Sequence, residues 1–302
     1  MSFSHDIKSE ILESRQARAR HKRAQAYGLY LFGRRFDAQE MVLSTENRDI
    51  AQLYAWYAAD MLGAGMRAVM SERKAAGKTL YTVTVAERED RVRILDAFAH
   101  TDGVNLSLAV TLDDAGAFLA GAFLACGNMT DPEKRYHLEF VARREKSCAG
   151  LAQLLENFIP GVKTTTRRGL YVVYYKECVP IEDLLTLMGA SRASLAVIDV
   201  EMIKEVRNRA NRVTNCETAN IDKLVSAASS QVADICFIVE TKGWNHIPEE
   251  LREAATLRLE NPELSLRELA LLMDEPCSRS GMHRKLEKIS KLAAGLRGDA
   301  AG

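Results

Sequence analysis

The chain has 302 residues, 47% apolar and 27% charged, and its 41 lysines and arginines are balanced by 41 acidic residues. That is the composition of a soluble protein with substantial cores and room for two domains. Zero net charge places any nucleic-acid role on local basic patches rather than on the chain as a whole.

The start, MSFSHDIKSEILESRQARARHKR, is charged and lacks the apolar core of a secretory signal. Its basic run SRQARARHKR (14–23) fits either DNA contact along a sheet face or a solvated helix start. From there two similar halves follow, offset by roughly the 90–100 residues of a small domain. Each opens with a small-residue apolar helix, RAQAYGLYLFGRRF (Arg23–Phe36) and DDAGAFLAGAFLACG (Asp113–Gly127). The second is too short to span a bilayer and runs at once into TDPEKR, so no membrane role is expected.

Alternating strands come next, EMVLSTEN (Glu40–Asn47) and RYHLEFVAR (Arg135–Arg143), with the period of two of a half-buried sheet. The amphipathic helices RDIAQLYAWYAADML (Arg48–Leu62) and EKSCAGLAQLLENFI (Glu145–Ile159) follow. Two strand pairs are then predicted, GMRAVMSER with KTLYTVTVAE and GVKTTTR with GLYVVYYKE, with hairpin tips at Arg73–Lys78 and Arg167–Gly169. Closing helices EDRVRILDAFA and PIEDLLTLMGA complete an αβαββα order given twice, a duplication with pseudo-twofold symmetry. Gly28 and Gly33 in one opening helix, and Ala120, Gly121 and Ala125 in the other, would let the two backbones approach closely across that axis.

Strand patterns vanish after Leu195. DVEMIKEVRNRANRVTN and CETANIDKLVSAASSQVADICFIVETKG read as helices, the second ended by Gly243. Three short helices complete the chain. Pro248 takes an N1 position in PEELREAATLRLEN, and Ser265 caps SLRELALLMD in a capping box with Glu268. Ser278 starts SRSGMHRKLEKISKLAAGL. Three helices with short turns and a basic third helix are how a helix-turn-helix is built. Leu266, Leu269, Leu272, Leu286 and Ile289 read as its core, and Cys277 as a small buried turn residue.

Recognition helices present their N-terminal residues to base edges, which singles out Arg279, His283 and Arg284. Lys285, Lys288, Ser278 and Ser280 suit phosphates, and Ser265, Arg267, Gly281 and Lys291 complete the expected interface. The alternative is a merely solvated basic face. Arg207, Asn208, Arg209, Asn211, Arg212 and Asn215 fit either DNA contacts or interdomain hydrogen bonds. On the sheet of the first domain, Lys163, Thr164, Thr165, Thr166, Arg167 and Arg168, with Arg67, Arg73 and Lys74, form a moderately basic face suited to DNA or to a protein. Six scattered cysteines, Cys126, Cys148, Cys178, Cys216, Cys236 and Cys277, form no CxxC pair. They argue against a disulfide framework or zinc site and fit reduced thiols in a cytosol.

LAGAFLACG (Leu119–Gly127) resembles the LAGLIDADG helix of homing endonucleases, and AYGLYLFGR (Ala26–Arg34) resembles a weaker copy. The resemblance implies two packed helices, each with an acidic residue beside its final glycine. Those acids hold the divalent metals that activate water and stabilise the leaving oxygen. Aligned on Gly121 the acid falls on Cys126, and aligned on Gly28 it falls on Gly33. Neither supplies the hard oxygen that magnesium demands. Asp37 and Asp131 lie past the helix ends, in turns. No catalytic residue, metal or cofactor is therefore expected.

A closer resemblance runs essentially from end to end. MSFSHDIKSEI, GAFLACGNMTDPEKRYHLEF (Gly121–Phe140), NRANRVTNCETANIDKLVSAA (Asn208–Ala228) and IPEELREAATLRLENPELSLRELALLMDEPCSRSGMHRKL (Ile247–Leu286) are similar to the WhiA regulators of Gram-positive bacteria. The resemblance implies an α+β fold: a duplicated LAGLIDADG homing-endonuclease-like domain followed by an all-α, sigma-region-4-like helix-turn-helix domain. Expected boundaries are 1–190 (repeats about 17–100 and 113–190), a helical linker over 191–220, and the helix-turn-helix domain over 221–302. It further implies a non-catalytic regulator in the cytoplasm, associated with the nucleoid. Such a protein binds double-stranded DNA and serves transcription, sporulation, cell division or chromosome segregation, with a transcription or division protein as a candidate second partner. No small-molecule substrate is expected. Where that family often shows Asn-His-Arg, this chain has His283-Arg284-Lys285, so the relatives' base preference does not carry over. Two other readings compete: a working metal-dependent endonuclease, and a protein-interaction adaptor built on the first domain. With no heptad seam evident, the chain is expected to be a monomer.

Overall fold

The computed structural model describes residues 2–14, 18–62, 68–75 and 77–299. The chain divides into two compact units, Met1–Lys204 and Glu205–Gly302. The first opens with helix α1 (Phe3–Glu13), which the hydrophobic pattern had not marked. Its first repeat is α2 (Ala19–Leu31), β1 (Arg35–Phe36), β2 (Met41–Thr45), α3 (Arg48–Leu62), β3 (Ala68–Ala75), β4 (Lys78–Val85) and α4 (Arg88–Ala97). Its second is α5 (Leu112–Cys126), β5 (Gly127–Met129), β6 (Leu138–Ala142), α6 (Glu145–Phe158), β7 (Lys163–Arg167), β8 (Leu170–Tyr175) and α7 (Cys178–Leu187).

The repeats are therefore αββαββα, one strand richer than the expected αβαββα. The additional strands are two and three residues long, too short to show a period of two. Both sheets are antiparallel and share one strand order, β1-β2-β4-β3 and β5-β6-β8-β7, which is the signature of the duplication. Alternation puts Met41, Leu43, Val83 and Val85 of one sheet, and Leu138, Phe140, Val173 and Tyr175 of the other, into a single core under the helices. The β7–β8 hairpin turns on Arg168 (φ 52°) and Gly169 (φ 76°), the paired left-handed residues of a two-residue hairpin loop. The N-terminal part of the strand read as GMRAVMSER, including Arg67, lies outside the described residues.

Helices α2 and α5 form the central contact. A Cβ at Gly28 would overlap the Phe118 carbonyl oxygen and stand 2.8 Å from the Ala122 nitrogen; one at Gly121 would overlap the Gln25 carbonyl and stand 2.9 Å from the Leu29 nitrogen. The backbones touch because these positions carry only hydrogen. Gly33 takes no part in this packing. A Cβ there would meet Val42 O at 3.0 Å and Tyr30 O at 3.2 Å, within its own repeat. Tyr27, Tyr30, Phe118 and Phe123 are fully buried around the helix pair, each contributing about 1.5–3 kcal/mol by leaving water.

The two helices read on either side of Asn215 are one continuous helix, α8 (Ser191–Lys242), which carries the boundary between the units. It ends as expected at Gly243, in the left-handed region at φ 82°. The second unit continues with α9 (Glu249–Glu260), α10 (Leu266–Leu271) and α11 (Arg279–Asp299). Pro248 stands one residue before α9, at its N-cap position. The core of this unit gathers Ile235 and Ile238 from α8, Leu251 and Ala254 from α9, Leu269 from α10, and Met282, Leu286 and Ile289 from α11.

Candidate nucleic-acid interface

The capping box predicted at α10 is present. Ser265 Oγ accepts from the Glu268 N–H at 3.3 Å, and Glu268 Oε2 accepts from the Ser265 N–H at 2.8 Å. The turn before α10 is organised by Arg258, buried on α9, whose Nη1 donates to the carbonyls of Leu264 at 2.8 Å and Pro262 at 3.3 Å. After α10 the chain is tied back by the Cys277 N–H on Ala270 O at 3.1 Å. Ser278 then caps α11, its Oγ accepting from the Gly281 N–H at 3.1 Å. These locally satisfied groups fix the angle at which α11 leaves the unit.

Met282, Leu286, Ile289 and Ala293 bury one side of α11. At 100° per residue the opposite side carries Ser280, Arg284 and Lys291, flanked by Glu287 and Lys288, with His283 at its edge. All six are exposed. Arg279 is also exposed but stands at the margin of this face, better placed for a backbone phosphate than for a base edge. Lys285 departs from expectation: it is half-buried and its Nζ donates to Glu250 O on α9 at 2.9 Å. It therefore braces α11 against α9. Ser265 and Ser278 are likewise engaged as caps, while Arg267 is exposed on α10. Leu272, expected in the core, is 52% exposed because α10 stops one residue before it.

Glu287 stands among these cations as an acid that the basic pattern of the helix does not single out. It accepts from Lys291 Nζ at 2.8 Å and lies 3.9 Å from His283 Nδ1. The hydrogen bond and charge of Lys291 hold its carboxyl below the usual carboxylate range.

Arg207, Asn208, Arg209, Asn211, Arg212 and Asn215 are all exposed along α8, with Arg212 Nε donating to Asn208 O at 3.3 Å.

On the first unit several cations of the sheet region are matched by acids. Arg167 pairs with Glu139 at 3.1 Å, Lys163 with Glu177 at 3.2 Å, Lys78 with Glu46 at 2.9 Å, and Arg35 with Asp37 at 2.8 Å. Phosphates there would have to displace carboxylates. Thr164, Thr165, Thr166, Arg168, Arg73 and Lys74 are exposed. Residues 15–17 of the basic N-terminal run lie outside the described residues. In its remainder, Arg20 pairs with the buried Asp114 at 2.6 Å, Lys22 stands 5.5 Å from the centre of the Trp56 ring, and Arg23 donates to Ala97 O.

The paired helix ends do not fit a divalent metal. Gly33 has no side chain to offer a ligand, and even a Cβ there would stand 3.0 Å from Val42 O and 3.2 Å from Tyr30 O. At the other end, burial pushes the Cys126 thiol up to about 12, against the lowering influence of the Lys8 ammonium. Lys8 comes from α1 and stands 5.8 Å from the Phe123 ring centre. A protonated thiol offers no hard oxygen, and the Lys8 charge acting on it opposes a cation there. Asp37 is in a turn as expected, receiving the Gln39 and Glu40 N–H groups at 2.8 and 2.9 Å and Arg144 Nη2 at 2.9 Å. Asp131 receives the Glu133 N–H at 3.0 Å. Among the described residues no three His, Cys, Asp or Glu side chains converge as a metal-holding group, and no helix is long and apolar enough to cross a membrane.

Comparison with known proteins decides the family. A curated relative from Lachnoclostridium phytofermentans named "Probable cell division protein WhiA" is 34% identical over 98% of this chain and 100% of its own length. The chain belongs to the WhiA family. A second protein of that name, from Thermoanaerobacter pseudethanolicus, is 32% identical over 98% of both chains. The WhiA LAGLIDADG-like domain matches residues 115–207, and the WhiA C-terminal HTH domain matches residues 210–293. The crystal structure of full-length DUF199/WhiA from Thermatoga maritima shares the fold with a TM-score of 0.57 at 24% identity, covering 97% of this chain and 98% of that one. WhiA architecture thus accounts for both units, a homing-endonuclease-like duplication and a helix-turn-helix.

Proposed function

We propose that this chain is a sequence-specific, non-catalytic protein of double-stranded DNA, acting at the nucleoid in transcriptional control, cell division or chromosome segregation. The observation that carries the reading is the exposed face of α11. It sets Arg284, Lys288 and Lys291 opposite the apolar seam of Met282, Leu286, Ile289 and Ala293, with His283 at the edge of the face, on a helix whose entry is fixed by a cap. Arginine and histidine near the start of such a helix meet base edges, and the lysines further along meet phosphates. The absence of nuclease chemistry in this reading is supported by the crowding at Gly33 and by the neutral Cys126 beside Lys8.

A mobility-shift assay with genomic fragments tests the assignment. Arg284→Ala is expected to weaken specific binding about tenfold or more, the equivalent of one good base contact, and Arg279→Ala to weaken all sequences alike. Unchanged binding in both variants would discredit α11 as the DNA-binding helix.

A second reading concerns the sheet of the first unit, where Lys78, Lys163 and Arg167 are matched by carboxylates while Val69 and Leu80 are 55% and 40% exposed. These features favour a protein partner over DNA at that face.

A further inference from the structure

We propose that Glu287 is a specificity-determining residue, accepting a hydrogen bond from an exocyclic amino group in the major groove, cytosine N4 foremost. The inference rests on the reading of α11 as the recognition helix and goes beyond it by naming what the helix selects.

Three observations converge. The rotation of α11 is set by Met282, Leu286 and Ile289 in the core, and at 100° per residue it places Glu287 on the outward face, about 50° to one side of Arg284 and Lys291 at its centre. Glu287 is 47% exposed, and its carboxylate is anchored by Lys291 at 2.8 Å with His283 at 3.9 Å. An anchored side chain offers its remaining lone pairs in a limited set of directions. Finally, an ionised carboxylate only accepts hydrogen bonds. In the major groove it is satisfied by the amino groups of cytosine or adenine, and repelled by guanine O6 and N7 and by thymine O4. A carboxylate in that place weakens the attraction to phosphates common to every sequence, and turns it into rejection of the wrong base. Arg284, one turn earlier, has the opposite preference for guanine. The two together would read neighbouring positions of opposite character.

The alternative role, support of the helix by the Glu287–Lys291 pair, adds little for an exposed pair and predicts no change in base preference. The test is selection from a randomised duplex library by the full chain, by Glu287→Ala, by Glu287→Gln and by Arg284→Ala, with circular dichroism confirming that each folds. The full chain is expected to enrich a motif in which one cytosine column, or adenine column, is preferred about tenfold. Glu287→Ala should flatten that column alone while binding random DNA more tightly. Glu287→Gln should move it to adenine, which glutamine contacts through N6 and N7. Arg284→Ala should flatten a different column. A motif unchanged by Glu287→Ala, loss of every column at once, or a guanine or thymine in the affected column overturns the assignment of Glu287 while leaving DNA binding by α11 in place. If the full chain enriches no motif, the underlying reading fails and this one with it.

Discussion

Gly121 and Gly28 sit where the two repeats meet, and a single methyl is the smallest perturbation of that contact. Gly121→Ala would drive Cβ into the Gln25 carbonyl, a backbone group that no rotamer change can move aside. The variant is expected to lose about 2–3 kcal/mol with a matching drop in melting temperature, whereas Gly298→Ala, in open space, should leave it unchanged. Asp114 offers a different probe of the same region. Burial acts to raise its pKa, but the Thr111 hydroxyl and N–H, Arg20 and His21 outweigh that and hold it below the usual carboxylate range. A depressed pKa in the folded state stabilises the fold above the unfolded value of about 3.9, and that contribution is lost as pH falls through the folded value. Melting temperature measured across acid pH should therefore fall on acidification below about 4, and Asp114→Asn should remove that part of the dependence and lower stability at neutral pH.

At the scale of elements, the helix-turn-helix depends on how α9, the turn and α10 are held. Arg258→Met should cost about 2 kcal/mol by leaving the Leu264 and Pro262 carbonyls without their charged donor, and calorimetry should place the loss in the second unit. Much of this architecture was legible. Strong periodicity located α3, α6, β4 and β8 within a residue or two, and the Ser265–Glu268 signature located α10. What escaped has physical reasons. Strands β1 and β5 are too short to show alternation. Helix α8 lacks an apolar stripe to advertise its continuity across Arg207–Asn215, where every described side chain is exposed. Leu286 and Ile289 already set the rotation of α11, but the roles of Lys285 and Glu287 turn on side-chain reach, to Glu250 O on α9 and to Lys291, which no sequence pattern encodes. Gly33 was read as a packing residue because the apolar pattern runs on through it from Gly28, yet α2 ends at Leu31 and Gly33 faces the strand of its own repeat.

For the whole molecule, zero net charge concentrates DNA attraction on α11 and neighbouring exposed cations rather than spreading it over the surface. Binding should fall steeply with salt, in proportion to the few phosphates neutralised. Several cations of the first unit's sheets, among them Lys163 and Arg167, are already paired with acids, and the helix ends where the LAGLIDADG resemblance implies metal-holding acids carry Gly33 and Cys126 instead. The most direct test incubates the full chain with supercoiled plasmid in the presence of Mg²⁺ or Mn²⁺, then compares the DNA before and after the protein is stripped off. The expected result is a retarded complex that releases intact supercoiled plasmid; nicked or linear product dependent on the metal would contradict it.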